Sequence, residues 1–225
     1  MESRFERILE PELMEEEQQV LAYTQADFTQ PHEMFVDLIE ERFGSSLKGT
    51  FLDLGCGPCD ITVRFAKRFP YPKIHAVDGS APMLVAARKL IEKNDLAERI
   101  LLIKAQVPIE SGILPKRSYD GVFINSLLHH LPEQNLLWQT IERFVRPGGM
   151  IFVMDLLRPA TKKVAKEIVE KYSGNEPDIL KRDFYNSLLA AFTTSEVAEH
   201  LKHTNLAHLT VEKVSDRHFI VWGKK

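Results

Sequence analysis

The sequence predicts an α/β fold: a doubly wound, mostly parallel sheet with an antiparallel C-terminal edge strand and a helical cap. Three observations carry this. From residue 50 onward, short apolar runs alternate with longer amphipathic ones, as in successive βαβ units. One such run, Thr50–Leu54, leads straight into a Gly-x-Gly turn and then a helix. The last two β runs, Leu209–Val214 and His218–Trp222, are joined by so short a turn that they can only be antiparallel.

Composition sets the bounds. A chain of 225 residues that is 44% hydrophobic suits one large domain with a sizeable core. A net charge of -3 asks for no polyanionic partner, so nucleic acid is not expected. No apolar run reaches membrane-spanning length, and the acidic N-terminus has no apolar core of a secretory signal. The expectation is a cytoplasmic protein without a membrane partner. The only cysteines, Cys56 and Cys59, do not make a disulfide framework.

The elements follow in order. Residues 1–47 read as an N-terminal helical segment or lid. Glu12–Tyr23 is a polar helix there, and Pro31–Phe43 carries Phe35, Leu38, Ile39 and Phe43 at helical spacing until Gly44 stops it. Residues 48–225 form the main domain. The first strand, Thr50–Leu54, is followed by a helix from Asp60 to Arg68, and the second, Lys73–Val77, ends at Asp78. Ser80 caps a helix from Pro82 to Lys93, with proline in its first turn. Strands at Ile100–Ala105 and Tyr119–Asn125 precede a helix at Pro132–Phe144, whose Leu136, Leu137, Trp138 and Ile141 face the core. Arg146–Gly149 is a turn before strand five, Met150–Leu156. Residues 158–194 are a cap insertion with two helices, one of them presenting the charged run Lys162–Lys171 to solvent. A helix at Ser195–Lys202 precedes the closing strands.

The stretch Asp53-Leu54-Gly55-Cys56-Gly57-Pro58-Cys59-Asp60 carries the chemistry. Gly55 permits a tight turn and Gly57 a close backbone approach to a ligand. Asp78, at the end of the second strand, can accept both hydroxyls of a ribose. A pyrophosphate-binding loop would place glycine where this chain has Asp60, and a carboxylate beside a pyrophosphate is unfavourable. Asp53 and Asp60 instead suit a ligand that carries positive charge and no phosphate, which favours S-adenosylmethionine over a nicotinamide cofactor.

With these residues in view, the chain resembles the class I S-adenosylmethionine-dependent methyltransferases of small-molecule type. Asp53-x-Gly55-x-Gly57 is similar to that family's first motif and Asp78 in HAVDGSAPML to its ribose-binding acid. Gln106 is similar to its adenine-contacting position, where many members have Asp. Asn125-Ser126-Leu127-Leu128-His129-His130-Leu131-Pro132 and Pro147-Gly148-Gly149 are further marks. The resemblance covers residues 48–157 well and implies a Rossmann-like domain with S-adenosylmethionine as cofactor and S-adenosylhomocysteine as product. It implies that Asp53, Gly55, Cys56 and Gly57 line the methionine end, with Asp78 and Gly79 at the ribose. Ser80 and Met83 would border the adenosine, Gln106 and Val107 its adenine edge, and Asn125 and Ser126 the methionine amino group. Tyr23 or Phe28 would close over the cofactor.

Other roles follow from residue type. His129, His130 and Asp155 are the candidate catalytic residues, should the acceptor have to lose a proton. Adjacent histidines project differently, so only one is expected to face the pocket. No spaced set of His, Asp and Glu is visible, so no metal is expected. Asp155 reads equally as a helix cap or a partner of Arg158, and Asp216-Arg217-His218 reads as structural. Cys56-Gly57-Pro58-Cys59 matches a redox motif, in which a helix N-terminus lowers a thiol pKa. Phe184, Tyr185, Asn186 and Phe192 in the cap would mix apolar and polar surface around a small organic acceptor. A protein or RNA acceptor, and a cofactor binder with non-methyl chemistry, stay as alternatives. The residues leave open whether the chain is a monomer or a homodimer.

Overall fold

Seven strands hydrogen-bond in the order β3-β2-β1-β4-β5-β7-β6 in the computed structural model, which describes residues 5–10 and 15–225. The strands are β1 Thr50–Leu54, β2 Lys73–Asp78, β3 Ile100–Lys104, β4 Tyr119–Asn125, β5 Val145–Leu156, β6 Thr210–Lys213 and β7 His218–Lys224. The β1, β2, β3, β4 and β5 ladders are parallel, while β7 pairs antiparallel with both β5 and β6. The reversed strand therefore lies at the C-terminal edge of the sheet, with β6 outside it.

The helices are α1 Glu17–Gln25, α2 Thr29–Phe43, α3 Asp60–Arg68, α4 Ala81–Lys93, α5 Asn135–Phe144, α6 Lys162–Ser173, α7 Asp178–Ala190 and α8 Thr194–Lys202. Of the first expected helix, residues 12–14 lie outside the described residues, and the described part starts at Glu17. Gly44 ends α2 at φ 81°. Ser80 caps α4 by accepting the Met83 N–H, and Thr193 and Glu196 form a reciprocal capping box on α8.

Alternation along the strands sorts the core onto two faces. Leu52, Leu54, Val122, Ile124, Ile151 and Val153 pack with Trp138, Ile141 and Phe144 of α5 and with α8. Phe51, Phe123 and Phe152 pack on the other face with Phe35 of α2, Phe65 of α3 and Phe69 just past its end. Phe65 stacks on Phe123 at 4.3 Å, and Phe35 meets Phe152 edge-on at 5.0 Å. Each such buried ring contributes roughly 1.5–3 kcal/mol relative to exposure. A third cluster joins Leu156 to α6 and α7, with Phe5 packed against it. The charged residues of Lys162–Lys171 face outward, as their spacing predicts.

Two further boundaries differ from the sequence reading by three residues or more. Strand β5 starts at Val145 rather than Met150, because the register passes from Tyr119–Val145 to Gly121–Met150 and leaves Arg146–Gly149 bulged out of the ladder. The Gly148 N–H donates to the Lys225 carbonyl and the Lys225 N–H to that of Gly149, which holds the bulge to the C-terminus. The helix expected from Pro132 begins at Asn135; a separate 3-10 turn, Leu128–His130, precedes it. The order of the sheet reverses between β1 and β4, and ligands of open α/β sheets bind outside the strand ends at such a point.

Candidate active site

A cavity of about 480 Å³ opens at that reversal point, beyond the C-terminal ends of β1, β2, β4 and β5. Its first wall is the loop after β1. Val77 O accepts both the Gly55 and the Cys56 N–H, at 2.8 and 3.0 Å, which folds the loop back over β2. The Gly57 N–H donates to Asp78 Oδ2 at 2.8 Å, and the Ser80 N–H to Asp78 Oδ1 at 2.8 Å. Gly55 and Gly57 both have positive φ, 74° and 51°. A Cβ on Gly57 would meet nothing within 4 Å, so this backbone faces open space, whereas one on Gly55 would meet Leu127 at 3.0 Å. Burial raises the Asp78 carboxyl above its ordinary value, against the backbone N–H groups of Ser80, Gly57 and Gly79 that favour its charge.

Gly55, Gly57, Asp78, Gly79, Ser80, Met83, Gln106, Val107, Asn125, Ser126 and Tyr23 all line the cavity. Phe28 lines it too, its ring 4.8 Å from that of Tyr23 and 5.4 Å from that of His32. Burial, with the charges of Asp60 and Asp78, pushes the Tyr23 hydroxyl up to about 12, so it is a neutral donor. Asn125 Oδ1 is buried with no hydrogen-bond partner, an acceptor at the tip of β4.

Asp53 and Cys56 are not among the lining residues. Asp53 is buried beneath the loop, where its Oδ2 accepts from Thr62 Oγ1 at 2.5 Å and burial pushes it up to about 7. Cys56 and Cys59 are buried free thiols in the α3-side core. The hydrogen bond between them and burial push the Cys56 thiol up, the opposite of the lowering a redox motif at a helix N-terminus predicts. Asp60 also differs from its expected role. Burial opposes its charge, but His32 Nδ1 at 2.5 Å and Arg64 Nε at 2.8 Å hold it down to about 2. Its charge is met by α2 and α3 rather than offered to a ligand.

The far end of the cavity is built around β5. Asp155 does not line it; it is buried behind His129, where it bonds the first N–H of the 3-10 turn and not Arg158, which pairs with Glu196 instead. Asp155 Oδ1 accepts from His129 Nδ1 at 2.6 Å and the Leu156 N–H at 2.7 Å, and Oδ2 from the Leu128 N–H at 2.8 Å. Against the expectation that only one histidine would face the pocket, His129 and His130 both line it, ring centroids 4.1 Å apart. Side-chain torsions on the 3-10 turn, which residue spacing does not fix, bring the two rings together.

Four residues of this end escaped sequence reading. Arg7 donates to the His129 and Leu131 carbonyls at 2.7 and 2.8 Å and lies 3.9 Å over the Phe192 ring, strapping the N-terminus across the turn. Glu10 Oε1 lies 3.4 Å from His129 Nε2 and 3.1 Å from His130 Nδ1. Arg217 and His218 line the cavity rather than serving structure alone. Arg217 sits 3.3 Å over the Tyr172 ring, and burial beside Arg217 pushes His218 down to about 4, so its imidazole is neutral. No local pattern marks Arg7 or Glu10, since both act across almost the whole chain. The cap contributes Tyr172, Leu180, Asp183, Phe184 and Ser187 to this wall; Tyr185, Asn186 and Phe192 lie outside it.

Known proteins resemble this chain in sequence and in fold. A family model described as a methyltransferase domain matches residues 51–149. A trans-aconitate 2-methyltransferase of Azoarcus sp. (strain BH72) is 31% identical over 104 residues, 46% of this chain and 38% of that protein. The chain spans 38–54% of the length of the curated relatives it matches. Among solved structures, an S-adenosyl-L-methionine-dependent methyltransferase described as putative, from Methanococcus maripaludis, superposes with a TM-score of 0.71 at 17% identity over 97% of both chains. The plantazolicin methyltransferase BpumL, solved with a triazolic desmethylplantazolicin analogue and S-adenosylhomocysteine (SAH), gives 0.68 at 16% identity over 92% of this chain and 90% of that one. These two likenesses are of fold. No helix of the described residues is long and apolar enough to cross a membrane.

Proposed function

We propose that this chain, whose residues 51–149 match a methyltransferase domain and whose fold is that of S-adenosylmethionine-dependent methyltransferases, moves a methyl group from S-adenosylmethionine (SAM) to a small organic acceptor by in-line displacement. The observation that carries the reading is one cavity with two ends of different character. One end offers the open Gly57 backbone, the Asp78 carboxylate and the unpartnered Asn125 Oδ1; the other is roofed by α6 and α7.

The residues of the first end fit the cofactor. SAM has a ribose diol, an ammonium and a sulfonium, and no phosphate. Asn125 Oδ1 is a buried acceptor that lacks a donor, which an ammonium would supply. Asp78 would bind the ribose hydroxyls, with Gly79 beside it. Ser80 and Met83 would flank the adenosine, Gln106 and Val107 its adenine edge, and Ser126 the amino group. Tyr23 and Phe28 would cover the bound cofactor as part of an N-terminal lid. Asp53 and Cys56 act in this reading from beneath the loop, through the backbone they support.

When bound, SAM supplies an electrophilic methyl whose sulfonium leaves as neutral SAH. The chain's own residues then align and enclose. Holding donor and acceptor in line and excluding water supply most of the acceleration in such transfers. Asp155 fixes the His129 ring, and His129 and His130 meet the protic or anionic group of the acceptor. Tyr172, Leu180 and Phe184 of the cap enclose its apolar part. The relative named for trans-aconitate supports a small acceptor, and the roofed end disfavours a folded protein or RNA.

The test is a survey of acceptors with methyl-labelled SAM, following SAH by mass spectrometry. Small carboxylic acids, phenols and enols are expected to yield methylated product, while folded protein and RNA are not. Turnover with macromolecules alone would overturn the small-acceptor reading.

A further inference from the structure

We propose that Glu10, His129 and His130 form a binding site for one divalent transition-metal ion. Glu10 Oε1, His129 Nε2 and His130 Nδ1 all lie within 4.8 Å of one another. Two imidazoles and one carboxylate are the donor set that borderline divalent metals such as zinc, manganese and iron(II) prefer.

Hydrogen bonding around the three atoms points the same way. The Asp155 carboxylate accepts two backbone N–H groups, so its remaining bond to His129 Nδ1 places the proton on that nitrogen. In a neutral His129 the Nε2 lone pair then faces a carboxylate oxygen 3.4 Å away. Two facing acceptors in a buried space hold either a shared proton or a bound cation between them. Histidine ligands of metals commonly donate their other ring N–H to a carboxylate, and ligating carboxylates are themselves hydrogen-bonded. Both conditions hold, the second through Ser187 Oγ, which donates to Glu10 Oε1 at 2.9 Å.

Three protein ligands leave coordination positions open, the arrangement of metal sites that take a substrate. The two histidines line the cavity, so the open positions would receive an oxygen of the acceptor: a hydroxyl, an enol or a carboxylate. That use of the ion rests on the proposed function; metal binding itself does not.

The experiment titrates the full chain, stripped with chelator, with Co(II) by visible absorption and with Zn(II) by calorimetry. The wild type is expected to take up one equivalent with the absorption of a nitrogen- and oxygen-ligated Co(II) centre. Glu10→Gln and His130→Asn should each weaken uptake at least tenfold, and Asp155→Asn about 10–100-fold. Glu10→Gln keeps the shape of the site, and its melting curve shows whether it folds. Asp78→Ala should leave metal uptake unchanged and Glu10→Gln should leave SAM binding unchanged. Absence of stoichiometric uptake, or uptake equal in wild type and a folded Glu10→Gln, overturns the metal site and leaves the proposed function standing. Metal uptake without SAM binding would do the reverse.

Discussion

Asp78 reaches from the end of β2 to the Gly57 N–H, 2.8 Å away, and so couples the ribose-binding candidate to the glycine loop. The same carboxylate accepts the Ser80 N–H at the start of α4. Asp78→Ala should therefore loosen the loop even without ligand. Losing one such hydrogen bond costs about 1–3 kcal/mol, so amide exchange at Gly57 and Ser80 should quicken about fivefold or more while the α5 core is unaffected. Unchanged protection at both amides would show that the coupling is absent.

The two loop glycines should fail differently. Gly55→Ala places a Cβ 3.0 Å from Leu127 at φ 74°, so it combines crowding with left-handed strain and should lower the melting temperature clearly. Gly57→Ala meets no atom within 4 Å and should cost only about 1–2 kcal/mol from its positive φ. It should weaken SAM binding nonetheless, because its methyl group would enter the cavity. Paired melting curves and SAM titrations separate the effects, and equal loss of stability in both variants would contradict the geometry.

Asp53 gives a pH prediction. Burial raises its carboxyl to about 7 in the fold, against about 3.9 in an unfolded chain. A carboxyl raised on folding contributes stability that is full below the unfolded value and lost as pH rises through about 7. The whole change is worth on the order of 4 kcal/mol as an upper bound. Asp53→Asn keeps an acceptor for Thr62 Oγ1 but has no charge to bury. In the ligand-free protein the variant should gain on the wild type from pH 5 to about pH 7 and level off by pH 8, by about 2–4 °C for each kcal/mol. A gap that stays constant, or narrows with rising pH, would count against a buried, unpaired Asp53.

Arg7 ties the N-terminal strap to the histidine turn by bonds to backbone carbonyls and by its stacking on Phe192. Arg7→Ala should lower stability by about 1–3 kcal/mol and raise the acceptor KM more than the SAM KM. Denaturant midpoints and steady-state kinetics read both. A variant with wild-type midpoint and KM values would show that the strap is not held by this residue.

Much of this was legible before the structure. Strands such as Thr50–Leu54 and Tyr119–Asn125 are short apolar runs between turn residues, so their existence and order could be read directly. Gly57, Asp78 and Asn125 could be placed on one site because strand ends in an open α/β sheet share an edge. The failures have a common cause in contacts that spacing does not encode. The bulge at Arg146–Gly149 depends on pairing with Lys225, and the charge of Asp60 is met by His32 and Arg64. The meeting of His129 with His130, and of both with Glu10, depends on side-chain torsions and on a segment more than a hundred residues away in the chain.

The most direct test of the central claim is calorimetric titration of SAM and SAH into the wild type and Asp78→Ala. Micromolar binding of both ligands, weakened at least about 30-fold in the variant by the loss of a charged, bidentate contact worth about 2 kcal/mol or more, is the predicted result. Failure of the folded wild type to bind either ligand, or equal binding by Asp78→Ala, would contradict the account.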